Sequence, residues 1–272
     1  MKAVEIKNLS FSYQNTDRNN IYALDGINLE LEAGKKIVFL GANGSGKTTL
    51  FYHFNGLHVP QSGELTVLGI GVHKGTRKEL RKKVGMVFEN PDNQLISTTV
   101  YDDVAFGLRN DKWSETRIKE QVFRVLQKVQ AEDLADHSPY NLSWGQKKRV
   151  AIAGVLAMEP ELLVLDEPFS GLDPMVSKYV LLLLDQINAE GKTIIISAHD
   201  VDLAYSWADE IVILNQGKIV LQGLPDILND EEAMKRASLD APILAKTFNP
   251  TPYRPKTPAE ARSVIEKLMD GS

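Results

Sequence analysis

The sequence predicts an α/β protein built round a phosphate loop, and three stretches carry that prediction. Gly41-Ala42-Asn43-Gly44-Ser45-Gly46-Lys47-Thr48-Thr49 fits the pattern G-x-x-x-x-G-K-[ST]. Two aliphatic runs, Leu162 to Leu165 and Thr193 to Ile196, read as strands buried on both faces, as in a parallel sheet. Polar, titratable residues follow each run: Asp166 and Glu167 after the first, His199 after the second. In open α/β sheets the carboxyl ends of the strands hold the ligand.

The phosphate loop sits in the right context. The apolar run Ile37 to Leu40 leads in as a strand, and Thr48 to Phe54 leads out as a helix. Gly41, Gly44 and Gly46 let the backbone wrap a phosphate, and Asn43, Ser45 and Thr49 complete the loop. The helix N-terminus adds partial positive charge. Lys47 is placed to reach the β- and γ-phosphates, and the Thr48 hydroxyl to ligand Mg²⁺. Asp166 fits the Mg²⁺-holding acid of phosphate-loop ATPases, and Glu167 is placed to polarise an attacking water.

The rest of the chain dresses this core. Val4, Ile6, Leu9 and Phe11 alternate with polar residues, as do Leu24, Ile27, Leu29 and Leu31, giving strands with one buried face. Asn15 to Asn20 reads as a polar turn between them. Tyr13 reads equally as a base-stacking aromatic or an ordinary strand aromatic. Leu65 to Leu68 predicts a short hairpin strand, and Arg77 to Lys83 a basic, solvated helix end. Val84 to Phe88 predicts a buried strand that runs into the polar loop Glu89 to Gln94. Residues 99–140 read as a helical insertion, with Ser114 as an N-cap. A helix is predicted from about Gly145 to before Pro160; its basic cluster Lys147-Lys148-Arg149 reads as a solvated first turn in preference to a phosphate-binding cluster. Val176 to Ala189 predicts a leucine-rich core helix, and a hairpin turns at Asn215-Gln216-Gly217-Lys218. Residues 223–272, rich in proline, read as an appended segment with helices near 224–237 and 258–269.

Composition sets outer bounds. With 43% hydrophobic and 25% charged residues, the 272-residue chain is an ordinary globular protein with room for a sizeable core. A net charge of -5 gives no global case for nucleic-acid binding. The absence of cysteine excludes disulfides and thiolate metal sites. The N-terminus carries no signal-peptide hydrophobic region, and runs such as Val180 to Leu184 are too short to span a bilayer. Work at a membrane would therefore require a partner.

Five separated motifs together resemble the ATP-binding cassette (ABC) ATPases. They are the phosphate loop, Leu142 to Gln146, Leu163 to Glu167, Ser170 to Asp173 and His199. The resemblance covers residues 2 to about 222. It implies an ABC ATPase domain over residues 1–222, with an antiparallel β subdomain and a helical subdomain at about 90–145. Residues 223–272 are then a C-terminal appendage that helps join a dimer. The family implies that each ATP is sandwiched between one subunit's phosphate loop and the other's signature motif. By the same resemblance, Tyr13 stacks on adenine, Thr48 and Asp166 serve Mg²⁺, Glu167 is the catalytic base and His199 contacts the γ-phosphate. Ser143, Gly145 and Gln146 belong to the signature, and Asp173 to the dimer interface.

Two departures stand out. Trp144 replaces the first glycine of L-S-G-G-Q, and an indole cannot approach a phosphate as a backbone glycine does. It is expected to point away or to pack at the dimer seam. Glu89 replaces a glutamine. It can still ligand Mg²⁺ or orient water, but it adds negative charge beside the triphosphate. Within the family, the stretches Asn90 to Gln94, Asp102 to Gly107 and Gly145 to Gly154 resemble the ATPase subunits of energy-coupling-factor importers, notably the cobalt/nickel type. That implies a second ATPase subunit, an integral membrane scaffold and a substrate-capturing membrane component, with this chain peripheral on the cytoplasmic face. The histidines show no ligand cluster for a transported metal. Other importers or exporters, a soluble clamp on ribosomes or nucleic acid, and a regulatory cassette are the competing readings. The acidic balance speaks against the clamp, and intact Lys47, Asp166, Glu167 and His199 speak against the regulatory cassette.

Overall fold

The computed structural model describes residues 1–13, 22–249 and 251–270. The polar turn expected at Asn15 to Asn20 lies outside the described residues. Two sheets form the frame. A six-stranded sheet runs in the order β10-β9-β3-β8-β7-β6. Its strands are β3 (Lys36–Leu40), β6 (Val84–Val87), β7 (Leu162–Leu165), β8 (Thr193–Ala198), β9 (Glu210–Asn215) and β10 (Lys218–Gly223). All neighbours pair in parallel except the β9–β10 hairpin. That hairpin turns through Gln216 and Gly217, both at positive φ, as a two-residue primed turn requires.

The second sheet is antiparallel, with the order β2-β1-β4-β5. It comprises β1 (Lys2–Phe11), β2 (Leu24–Glu32), β4 (Ser62–Val67) and β5 (Ile70–Gly71). The period of two sorts the core between the faces of the central sheet. Leu162, Val164, Ile195 and Phe39 pack with Val4, Leu29 and Leu31 of the antiparallel sheet and with α1 (Lys47–Phe54). Leu163, Leu165, Ile194 and Ile196 pack on the helical side. Strand β7 is buried on both faces, which is why its sequence does not alternate. Truncating Leu163 to Ala would cost about 2–5 kcal/mol.

The helical side holds α3 (Val100–Asn110), α4 (Glu115–Lys128), α5 (Trp144–Leu156), α6 (Pro174–Ala189) and α7 (Val201–Trp207). Helix α4 buries Ile118, Val122, Val125 and Leu126 as its spacing predicts. Ser114 is its N-cap by backbone shape, but its side chain caps no N–H. The basic stretch Arg77–Lys83 forms a short helix of its own, α2, anchored by buried Leu80.

Beyond residue 223 the chain forms a one-turn helix at Pro225–Asn229, then α8 (Glu231–Arg236), α9 (Ile243–Phe248) and α10 (Pro258–Asp270). Helix α9 was not expected from sequence, because Pro242 and Pro250 bracket so short a run. Leu228, Met234, Ala237 and Ala245 join the helical-side core beside Tyr205 and Trp207. Among the described residues, hydrogen bonds that tie the segment down include Tyr205 Oη to Asn229 Oδ1 (3.3 Å), Asn215 Nδ2 to the Arg236 carbonyl (3.3 Å) and the Ile243 N–H to Asp202 Oδ1 (2.7 Å).

Candidate active site

Strands β3, β7 and β8 deliver the predicted groups to one edge of the sheet. They line a cavity of about 440 Å³ with Tyr13, Asn43 to Thr49, Glu89, Asp166, Glu167 and His199. Gly41 lies at the root of the loop at φ 152°, and a Cβ there would stand 2.2 Å from the Leu214 carbonyl. Gly44 (φ 78°) faces open space and Gly46 (φ 108°) caps α1. No side chain caps that helix, so its N–H groups are left for a ligand.

Lys47 curls back over the loop. Its Nζ donates to the carbonyls of Gly41 (2.7 Å) and Ala42 (3.3 Å), and burial pulls its ammonium below the usual lysine range. Ser45 Oγ is buried with no hydrogen-bond partner. Thr48 Oγ1 donates to Asp166 Oδ2 at 2.6 Å. One hydroxyl, one carboxylate and an uncapped helix end suit Mg²⁺ delivered with nucleotide phosphates. Tyr13 lies just past β1, half exposed, its hydroxyl bonded to Thr49 Oγ1 (3.1 Å). It stands edge-on to Phe11 and His58.

Glu167 is held under strain. Its φ is +45°, a region a non-glycine residue rarely enters. Its N–H donates to Ser197 Oγ (2.8 Å), and the same hydroxyl donates to Asp166 Oδ1 (2.6 Å). Burial pushes the Glu167 carboxyl up, opposed by His199 and Lys47 and reinforced by Asp166 and Glu89. His199 Nε2 stands 3.2 Å from Glu167 Oε1 but off the line of a hydrogen bond, leaving that oxygen without a donor. A raised carboxylate whose Oε1 accepts no hydrogen bond, beside a phosphate cradle, is equipped to take a proton from water.

The structure does not bring the signature residues to this cavity. Ser143 and Gln146 close a capping box instead: the Gln146 N–H donates to Ser143 Oγ (3.3 Å) and the Ser143 N–H to Gln146 Oε1 (2.8 Å). Gly145 follows in the first turn of α5, near Leu172 and Val176. Trp144 turns onto the loop after Glu167, where its Nε1 donates to the Ser170 carbonyl (3.0 Å) and its ring covers Gly171. Asp173 caps α6 by accepting from the Met175 and Val176 N–H groups.

The basic cluster is the main correction. It is not a solvated first turn. Lys148 is fully buried and donates to the carbonyls of Glu89 (2.6 Å), Glu167 (3.3 Å) and Phe88 (3.4 Å). Burial lowers its ammonium to about 8. Arg149 Nη1 bonds the Val129 and Gln130 carbonyls, and Lys147 pairs with Asp92 (2.7 Å). Each side chain has a fixed partner: Lys148 on the segments after β6 and β7, Lys147 on Asp92 and Arg149 on the chain just after α4. Sequence reading also passed over Ser197. A hydroxyl at the end of a β-branched strand, level with Asp166, was the available signal.

The sheet order, the phosphate loop and the acids after β7 define a phosphate-loop ATPase carrying an antiparallel β subdomain and a helical insertion. The chain belongs to the ABC transporter family, whose model matches residues 24–170. It binds ATP with Mg²⁺ and hydrolyses ATP in support of transport. It is 42% identical over 270 residues to an energy-coupling factor transporter ATP-binding protein, EcfA, of Carboxydothermus hydrogenoformans, covering 98% of each chain. The structure of cbiO1 from Clostridium perfringens, part of the ABC transporter complex cbiONQ, is 38% identical (TM-score 0.75) over 91% of this chain and 99% of that one. A dimeric post-hydrolysis ATP-binding cassette bound to ADP and Pi is 29% identical (TM-score 0.75), over 82% of this chain and 98% of that one.

Proposed function

We propose that this chain is the ATPase subunit of an energy-coupling-factor importer, peripheral on the cytoplasmic face of the cell membrane. It works as one half of a cassette dimer and energises uptake of cobalt, nickel or another micronutrient through an integral scaffold and a substrate-capturing component. The observation that carries the membrane partner is an apolar groove of about 210 Å³ lined by Leu95, Ile96, Phe106 and Val155. Ile96 and Phe106 on its rim are 63% and 50% exposed. Gln94 on the groove accepts from the N–H of Phe88 (3.1 Å), the residue before Glu89 of the ATP cavity, and donates to the Ala151 carbonyl (3.0 Å). Among the described residues no helix is long and apolar enough to cross a membrane. The names of the full-length relatives support the importer class.

In this reading the α1 N-terminus and Lys47 bind the phosphates, and Tyr13 stacks on the base. Thr48, Asp166 and Glu89 would hold Mg²⁺, which would supply neutralising charge on the phosphate oxygens. Glu167 takes a proton from water as the water oxygen bonds the γ-phosphorus, and the bond from that phosphorus to the bridging oxygen breaks to give ADP and phosphate. His199 stands beside that carboxylate and would contact the γ-phosphoryl group as it is transferred. Ser143, Gly145 and Gln146 serve the partner cassette's nucleotide.

The test is to tag the chain, solubilise its native membranes gently and identify what co-purifies. A small multi-helix scaffold with a metal- or vitamin-binding membrane protein is expected. Recovery only from the soluble fraction, with ribosomes or nucleic acid, contradicts the reading.

A further inference from the structure

Lys148 has the least expected environment in the molecule. A cation is among the costliest groups to bury, and this one is fully buried with three backbone carbonyls as acceptors. The carbonyls come from two segments. Phe88 and Glu89 open the loop that runs to the apolar groove. Glu167 carries the carboxylate over the ATP cavity. Lys148 itself lies on α5, whose other side chains grip the same loop: Lys147 pairs with Asp92, and the Ala151 carbonyl accepts from Gln94. The Glu167 peptide is therefore held from both ends, by Ser197 at its N–H and by Lys148 at its carbonyl. Its left-handed backbone persists only where its surroundings over-determine it.

We propose that Lys148 is a positioning residue that carries the seating of helix α5 and the 88–94 loop to the Glu167 peptide. Hydrolysis is thereby tied to the state of the groove. The carboxylate sits over the cavity when the ammonium holds the Glu89 and Glu167 carbonyls together. A shift of α5 or the loop withdraws one acceptor and frees the strained peptide to relax. The proposal rests on Glu167 being the base.

The experiment compares Mg·ATP hydrolysis by four full-length chains, in the assembly in which the protein is isolated: wild type, Lys148→Met, Glu167→Gln and the double variant. Lys148→Met keeps the stem and removes the charge. It is expected to lower kcat about tenfold or more while KM stays within about twofold, the signature of a lost transition-state contribution. Because Lys148 acts through Glu167, the double variant is expected to be no slower than Glu167→Gln alone. A Lys148→Met kcat within about twofold of wild type, or losses that multiply in the double variant, overturns the proposal and leaves Glu167 in place. Near-normal turnover by Glu167→Gln overturns both. Lys148→Gln, neutral but still a donor, repeats the test should the methionine chain not fold, with a smaller loss in kcat expected and no loss at all overturning the proposal. Failure of both to fold overturns the proposal by making Lys148 a purely structural residue.

Discussion

Two helices begin at this protein's functional motifs, and they begin differently. Helix α1 starts at Gly46 in a left-handed conformation, with no side chain on its N–H groups. Helix α5 starts at Ser143 with a complete capping box. The first terminus leaves its donors open, as a phosphate site must. The second satisfies its donors with its own side chains. The capping box is worth on the order of 1 kcal/mol to the free subunit, and nucleotide contacts from Ser143 or Gln146 would have to offset it. The phosphate half of the site is thus poised within one chain. The signature half is stored in a closed, stable form, and in our reading a second cassette must present it.

The largest expected effect comes from the open terminus. Lys47→Ala removes the cation that now rests on loop carbonyls, and kcat/KM for ATP should fall about 100- to 1000-fold. A loss under tenfold in a steady-state assay would show that Lys47 is not a phosphate ligand. Ser197→Ala removes one hydroxyl from both Asp166 and Glu167. Turnover should drop about tenfold or more, with a stability loss of about 1–3 kcal/mol in urea. Retained turnover would mean that the Glu167 peptide needs no support from β8.

The closed terminus predicts smaller effects. Gly171→Ala places a Cβ 2.7 Å from Trp144 Nε1 at φ +73°. It should cost about 1–2 kcal/mol from backbone strain alone. Trp144→Gly in the same chain should recover the steric part and leave the backbone part, as denaturant midpoints would show. Full recovery would mean that the left-handed position costs nothing.

His53 provides a pH test of the region beneath α1. It is buried, with Nδ1 2.7 Å from the Thr49 carbonyl, and burial lowers it to about 4. The unfolded chain takes up a proton near pH 6.5 that the folded chain refuses until about pH 4. The stability held above pH 6.5 is therefore lost on acidification through that window, by about 1.4 kcal/mol per pH unit. His53→Phe should flatten this slope by one proton. An unchanged slope would show that His53 is charged in the folded state.

The contrast between the helices also explains what was legible in the sequence. Glycine spacing around Lys47 is local backbone chemistry, so the open terminus could be read directly. The four aliphatics of Leu162 to Leu165 announced a strand buried on both faces, which placed Asp166 and Glu167. The pattern from Ser143 to Gln146 is also local: a serine followed three residues later by glutamine spells a capping box as well as a signature motif. Lys148 was misread because the fate of a helical lysine depends on what packs above it. It stands three and four residues before buried Ala151 and Ile152, on one face with them. That spacing was the signal, and its charge masked it.

In our reading hydrolysis turns on Glu167, so the most direct measurement is ATP binding and hydrolysis by Glu167→Gln beside the wild-type chain. The amide keeps the shape of the carboxylate and cannot accept the proton. With Glu167 as the base, ATP affinity should stay within about threefold of wild type and turnover should fall by about 100-fold or more. Near-normal turnover with intact binding would remove the base from its role, and with it the reason for the strained peptide that Ser197 and Lys148 hold.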